Sequence, residues 1–212
     1  MKMNNSEAYN QWASNYDTMI NTTRDLEQEA FRKVLSTIKF NDVLEIGCGT
    51  GKNSEWLLTK SKSIIAADFS EGMLAKARGK IDNKIVQFIK TDVREQWQFK
   101  NNSFDLISFS LVLEHIENID FIFGEAKRVL KLGGFIYIGE LHPFKQYAGS
   151  KARFEVEDGI FELECFIHNI SDYLNTAKKY QFECVELMEW FDDNTTKETI
   201  PRLLTMVFKL TF

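Results

Sequence analysis

A chain of 212 residues is long enough to bury a sizeable core within one domain. Its net charge of −5 argues against sequence-independent binding to nucleic acid, and no apolar run reaches membrane-spanning length. Cys48, Cys165 and Cys184 are too few and too scattered for a disulfide framework or a zinc site, and with no apolar leader over 1–5 a metal-free cytoplasmic protein is expected.

Tyr9, Trp12 and Tyr16 stand at helical spacing among polar residues between 6 and 20. A second helix is expected from Asp25, which can cap it with Gln28 three residues on. Leu26, Ala30, Phe31, Val34, Leu35 and Ile38 give it one apolar face. Strands and helices then alternate. Strands are expected at 43–46, 64–67, 86–89, 104–109 and 135–138, with helices opening at Lys52 and after Ser70 and spanning 118–131, the last stopped by Gly133-Gly134. Ser171 can cap a helix running to about Tyr180. Two final strands, 182–190 and 203–212, have no helix between them and are expected to pair antiparallel. The fold class is therefore α/β: a doubly wound, mainly parallel sheet.

Residues 147–168 interrupt the alternation. Asp158-Gly159 is a two-residue hairpin signal, which sets Phe154 opposite Leu163, Val156 opposite Phe161 and Glu155 opposite Glu162. The apolar side of that hairpin must cover something: an active site as a lid, an extended sheet, or a dimer partner.

The densest signal is Val43-Leu44-Glu45-Ile46-Gly47-Cys48-Gly49-Thr50-Gly51, a buried-strand pattern running into glycines at alternate positions, with Asp68 ending the next strand 17 residues on. Glycine there lets the chain turn tightly and lets a ligand lie against bare main chain. A dinucleotide fingerprint would need a third glycine at position 52, which is Lys52. The run E-x-G-x-G-x-G instead resembles motif I of the class I S-adenosylmethionine (SAM)-dependent methyltransferases, the small-molecule group that includes ubiquinone-biosynthesis types. The resemblance spans about residues 40 to 140, through VLEIGCGTGKNS, IIAADFS, KTDV, FDLISFSLVLEH and RVLKLGGFIYIGE, and weakens beyond.

That resemblance implies a seven-stranded Rossmann-like sheet with one antiparallel strand. It divides a single domain into an N-terminal helical cap (1–40), a SAM-binding core (41–140), a substrate-side hairpin or lid (141–170) and a C-terminal helix with two strands (171–212). It implies that Glu45 and the main chain of Gly47, Cys48, Gly49 and Gly51 hold the amino-acid end of SAM, the N–H groups receiving its carboxylate. Asp68 would accept from both ribose hydroxyls, Phe69 and Met73 would sandwich the adenine, and Asp92 with the Val93 N–H would read its edge. Ser110, Leu111 and His115 would lie between donor and acceptor, and Trp12 and Tyr16 would close over the sulfonium, which aromatic faces favour.

In-line transfer of an activated methyl group asks mainly for positioning. A base is needed only for a protonated nucleophile, and Glu140, His142 and His168 are the candidates, the first two at the carboxyl edge of the sheet. The expected activity is methyl transfer from SAM, leaving S-adenosylhomocysteine (SAH), to an oxygen or nitrogen of a small molecule, with no nucleic-acid or membrane partner and a monomer or homodimer as the active form. The alternatives are a noncatalytic SAM-binding scaffold and a methyltransferase acting on a macromolecule. SFSLVLEH stands after the fourth strand in place of an N-P-P-Y or D-P-P-Y segment, which disfavours methylation of a base amino group.

Overall fold

The computed structural model describes residues 5–156, 159–192 and 198–212. Its strands are β1 (Asp42–Ile46), β2 (Ser63–Asp68), β3 (Val86–Lys90), β4 (Phe104–Ser110), β5 (Leu130–Leu141), β6 (Arg153–Val156), β7 (Gly159–Glu162), β8 (Phe182–Trp190) and β9 (Leu203–Leu210). Seven of them form one sheet in the order β3-β2-β1-β4-β5-β9-β8. The pairs from β3 to β5 are parallel, and β9 runs antiparallel to both of its neighbours. This is the doubly wound sheet with one reversed strand that the strand–helix alternation and the motif resemblance imply.

The helices are α1 (Asn5–Trp12), α2 (Thr22–Leu35), α3 (Lys52–Leu57), α4 (Glu71–Lys80), α5 (Ile119–Val129), α6 (Pro143–Tyr147) and α7 (Ile170–Lys179). Side chains on a strand alternate between faces, so a strand buried on both sides feeds two cores. Val43, Leu106 and Tyr137 join Phe31 of α2 and Leu74 of α4 in one core. Their neighbours Leu44, Ile107 and Ile136 join Phe123 of α5 and Tyr173 of α7 in the other. A third, small cluster unites Ala8 and Trp12 of α1 with Leu163. Strand β1 pairs with β2 on one side and β4 on the other, so the chain direction across the sheet reverses there, and a crevice opens beyond the carboxyl ends of these strands.

Several local expectations are corrected. Helix α2 starts at Asn21, whose side chain accepts from the Arg24 N–H, which puts Asp25 inside the first turn, paired with Lys52. Helix α7 starts at Asn169, whose N–H donates to Asp172, two residues before Ser171. Gly133-Gly134 does not end a helix: α5 stops at Val129, β5 begins at Leu130, and the glycines sit inside β5, where its register against β4 slips. Gly133 takes φ +80 at this irregularity. Helix α6 follows His142 and opens on Pro143, because proline suits a first helical position and the His142 side chain accepts from the Phe144 N–H. The hairpin pairs Arg153 with Glu162, Phe154 with Phe161, Glu155 with Ile160 and Val156 with Gly159, so Gly159 belongs to a strand and the two glutamates do not oppose. Asp158 lies outside the described residues. Strands β6 and β7 form their own sheet, so the hairpin does not extend the large one.

Candidate active site

The glycine turn closes on itself. Gly47 and Cys48 both donate their N–H to the Ala67 carbonyl, Gly51 donates to Cys48, and Gly49 donates to Asp68 Oδ2 at 2.9 Å. These N–H groups are consumed because parallel pairing of β1 with β2 sets Ala67 and Asp68 beside the turn. Within the turn, the N–H groups of Gly47, Cys48, Gly49 and Gly51 are thus engaged inside the chain. Gly47 and Gly49 are both left-handed, at φ +72 and +54. A Cβ on Gly47 would sit 2.1 Å from Val112 Cγ2, whereas one on Gly49 would meet nothing within 4 Å. One glycine therefore serves packing, and the other leaves open space.

That space belongs to a partly open crevice whose empty space, its solvent-filled mouth included, is about 750 Å³. Of the sequence-predicted residues, Tyr16, Gly47, Gly49, Asp68, Phe69, Met73, Asp92, Val93, Ser110, Leu111 and His115 line it. Asp68 ends β2, is buried, and also accepts from the Ser70 N–H at 2.8 Å. Asp92 follows β3 and is gripped bidentately by Arg94, which holds its carboxyl below the usual range. Arg94, Asn5, Tyr9, Thr91, Val112 and Ile116 also line the crevice, and sequence reasoning did not place them there.

Leu111 is left-handed at φ +57, a rare state for a side chain with a Cβ. Two contacts hold it: its N–H donates to the Gly139 carbonyl at 2.8 Å, and the next residues are pinned by Glu140. Glu140 Oε1 accepts from the Val112 and Leu113 N–H groups at 2.9 and 2.8 Å, and Oε2 accepts from Glu114 at 3.4 Å. One carboxylate from β5 thereby shapes the segment that follows β4.

The N-terminal segment covers part of the crevice. Tyr9 packs edge-on against Phe69 and His115. The Glu164 carbonyl, 2.9 Å from His115 Nδ1, can only accept, so Nδ1 carries the proton and Nε2 accepts from the Tyr9 hydroxyl at 3.0 Å. Asn10 Oδ1 accepts from the Ser70 hydroxyl and the Gly72 N–H, and Asp17 accepts from Thr50 and pairs with Lys80. Helix α1 ends at Trp12, so Tyr16 reaches the crevice from the following turn. Trp12 packs behind, between Tyr9 and Tyr16.

Four predicted cofactor residues are absent from the crevice wall: Trp12, Glu45, Cys48 and Gly51. Glu45 is buried and accepts from the Ser54 hydroxyl, which ties β1 to α3, and Gly51 precedes α3 at φ +85. Cys48 is buried in the core beneath α2 and α4. The three predicted catalytic residues are also outside it. Glu140 is spent on the N–H groups above. His142 caps α6 with Nδ1 and meets Glu189 with Nε2 at 3.1 Å. His168 Nε2 donates to the Ile116 carbonyl at 2.8 Å. Among the described residues, no group of three or more His, Cys, Asp and Glu is placed to hold a metal ion, and no helix is long and apolar enough to cross a membrane.

Buried carboxyls dominate the surroundings. Burial pushes Asp68 up to about 6, Glu27 to about 7, and Glu45 and Glu140 to about 8. Unfolded, such groups titrate near ~4. The folded chain therefore binds more protons than the unfolded one between those limits, and folding stability falls as pH rises through that window. The partly exposed aspartates whose carboxyls are held low by cations, Asp17, Asp42 and Asp192 among them, act in the opposite sense, below about pH 4. Urea unfolding is expected to give a lower midpoint near pH 8 than near pH 5. Equal midpoints would mean that these carboxyls titrate as in the unfolded chain.

Residues 44–138 match the family described as "Methyltransferase domain". The chain is 31% identical over 141 residues to a demethylmenaquinone methyltransferase of Clavibacter sepedonicus, a match covering 64% of this chain and 57% of that protein. The next two curated relatives are spanned over 27% and 42% of their lengths. The likeness in fold extends further along the chain. A SAM-dependent methyltransferase structure from Mesorhizobium loti superposes with a TM-score of 0.73 at 18% identity, covering 87% of this chain and 97% of that one. A structure described as the DhpI–SAH complex gives 0.72 at 19% identity over 96% and 94%.

Proposed function

We propose that the chain transfers a methyl group from SAM to an oxygen or nitrogen of a small molecule. The observation that carries this reading is the buried Asp68 carboxylate at the end of β2, facing the crevice beside the open Gly49 turn. A ribose diol needs a rigid acceptor with two oxygens at such a strand end, and a carboxylate supplies one. The crevice is rich in acceptors and poor in free cations: Arg94, the one guanidinium among the described residues lining it, is committed to Asp92. This suits a donor-rich, positively charged ligand such as an adenosyl sulfonium. The similarity to a demethylmenaquinone methyltransferase supports a small-molecule acceptor.

SAM supplies an already activated methyl group, so the side chains bind and orient. Asp68 would hold the ribose, Phe69 and Met73 would flank the base, and Asp92 with Val93 would address its edge. Leu111, held left-handed, and Tyr9 and Tyr16 would keep water from the sulfonium and fix the line of approach. Of the imidazoles, His115 is the one on the wall, and its Nε2 is tied to the Tyr9 hydroxyl. The reading therefore rests on alignment, with an acceptor that arrives ionised or loses its proton to water.

Calorimetry with SAH, followed by methyl transfer from SAM across a panel of small hydroxyl and amine acceptors, tests it. Asp68→Ala is expected to weaken SAH binding by about 1–3 kcal/mol, the range for a lost hydrogen-bonded charge. Because the ribose favours the ionised carboxyl, SAH affinity in the parent is expected to fall as pH drops through about 6, and Asp68→Asn is expected to flatten that dependence. Unchanged affinity in Asp68→Ala would end the ribose assignment. Tight SAH binding with no turnover on any acceptor would favour a scaffold.

A further inference from the structure

Strand β3 is an edge of the large sheet, with β2 as its one neighbour there. In a parallel pair, alternate residues turn their main chain toward the neighbouring strand. The Ile85 carbonyl and the Thr91 N–H bond to β2, at odd positions, which leaves the N–H and C=O groups of Phe88 and Lys90 facing outward. Helix α4 covers one face of β3, where Val86 and Phe88 pack against the core that holds Leu74. The other face has no such cover, because the 91–103 link from β3 to β4 forms no helix. Phe99 of that link packs instead on Trp97 and Phe104.

A second groove runs along this uncovered face and shares only Thr91 with the crevice. Its empty space, the solvent-filled mouth included, is about 1040 Å³. Ile65, Ile89, Phe99 and Phe104 give it an apolar lining, and Lys90 and Lys100 line it as exposed residues. The acid that lines the groove, Asp42, is held by Lys131, whereas Lys90 and Lys100 enter no ion pair among the described residues. An open strand edge, an apolar trough and two unmatched positive charges thus lie side by side. An extended chain with alternating apolar and acidic side chains complements all three.

We propose that the β3 edge and its groove dock an extended acidic segment of a partner protein, which adds a strand beside β3. Its main chain would bond to that of Phe88 and Lys90, its apolar side chains would fill the trough, and its carboxylates would meet Lys90 and Lys100. A second copy of this chain is a poorer occupant, because pairing through β3 would set these lysines against each other. A flat lipid surface does not reach a recessed trough, and a phosphate chain has no use for a strand edge. The proposal is independent of the donor reading.

The test is fluorescence anisotropy on the full chain with a labelled peptide of about nine alternating Glu and Val residues. That peptide is expected to bind, and its Lys–Val counterpart to bind at least about tenfold more weakly. The double variant Lys90→Glu, Lys100→Glu, both at exposed positions, is expected to reverse this preference, with thermal melts confirming that it folds. N-methylation of alternate peptide bonds, which removes the strand's donors, is expected to weaken the acidic peptide about tenfold or more. Hydrogen exchange is expected to slow at the Phe88 and Lys90 amides on binding. If the acidic peptide does not bind, binds the double variant as tightly, or binds as well in both N-methylated registers, the docking edge is wrong. A dimer of the parent in sedimentation that the peptide disperses would give the edge to a second copy and overturn the proposal too.

Discussion

Gly47→Ala is expected to destabilise the protein by about 2–5 kcal/mol and to cost most of its SAH affinity. Two penalties add. The backbone at φ +72 charges a residue with a Cβ about 1–2 kcal/mol. The new methyl would stand 2.1 Å from Val112 Cγ2, and overpacking at that level costs about 1–3 kcal/mol. Val112 cannot simply step aside, because its N–H is held by Glu140. Gly49→Ala separates the two roles of the turn. It carries the backbone cost alone, since nothing lies within 4 Å of its Cβ, yet its methyl would project into the crevice. Urea unfolding and SAH calorimetry on the pair are expected to show Gly47→Ala losing both stability and binding, and Gly49→Ala losing mainly binding. A Gly47→Ala protein as stable as the parent would show that Val112 repacks freely.

Glu140→Ala is expected to have an effect of similar size through a different route. The Val112 and Leu113 N–H groups would lose their acceptor in a buried setting, at about 1–3 kcal/mol each. Leu111, released from its left-handed state, would then withdraw from the crevice wall, so SAH affinity and turnover should fall together. Glu140→Gln retains a carbonyl oxygen for the closest two donors and is expected to be intermediate. A carboxylate acting on substrate gives the contrary pattern, with normal unfolding, normal SAH affinity and lost turnover. That outcome would restore Glu140 to the chemistry and remove it from the scaffold of the 111–114 segment.

The strands and their order of direction were legible because burial on both faces writes itself as short apolar runs, and the glycine turn with Asp68 was legible because it depends on local backbone geometry. Caps proved less exact. Asn21 and Asn169 compete with nearby Asp25 and Ser171, and only the extended backbone at each asparagine decides between them. The wall of the crevice was half hidden, since Tyr9 meets His115 from 106 residues away, and away from the wall Glu27 meets Tyr137 from 110; no local pattern encodes such encounters. Glu27 did leave a trace. It shares the i, i+3, i+4, i+7 face of α2 with Ala30, Phe31 and Val34, and an acid on a buried face signals a partner elsewhere. The histidines at 142 and 168 show the converse: sequence placed His142 at the sheet's carboxyl edge and His168 between the hairpin and the next helix, but their rings are occupied by a helix start and a carbonyl.

The carboxyls of Glu27, Glu45, Asp68 and Glu140 converge on one end of the sheet, and none enters an ion pair among the described residues. A cationic guest would therefore act as the missing counter-ion of the fold itself. Its grip should tighten the molecule most in alkaline solution, where the empty chain bears the greatest unrelieved repulsion, so the rise in melting temperature on saturation should widen steadily from acid to base.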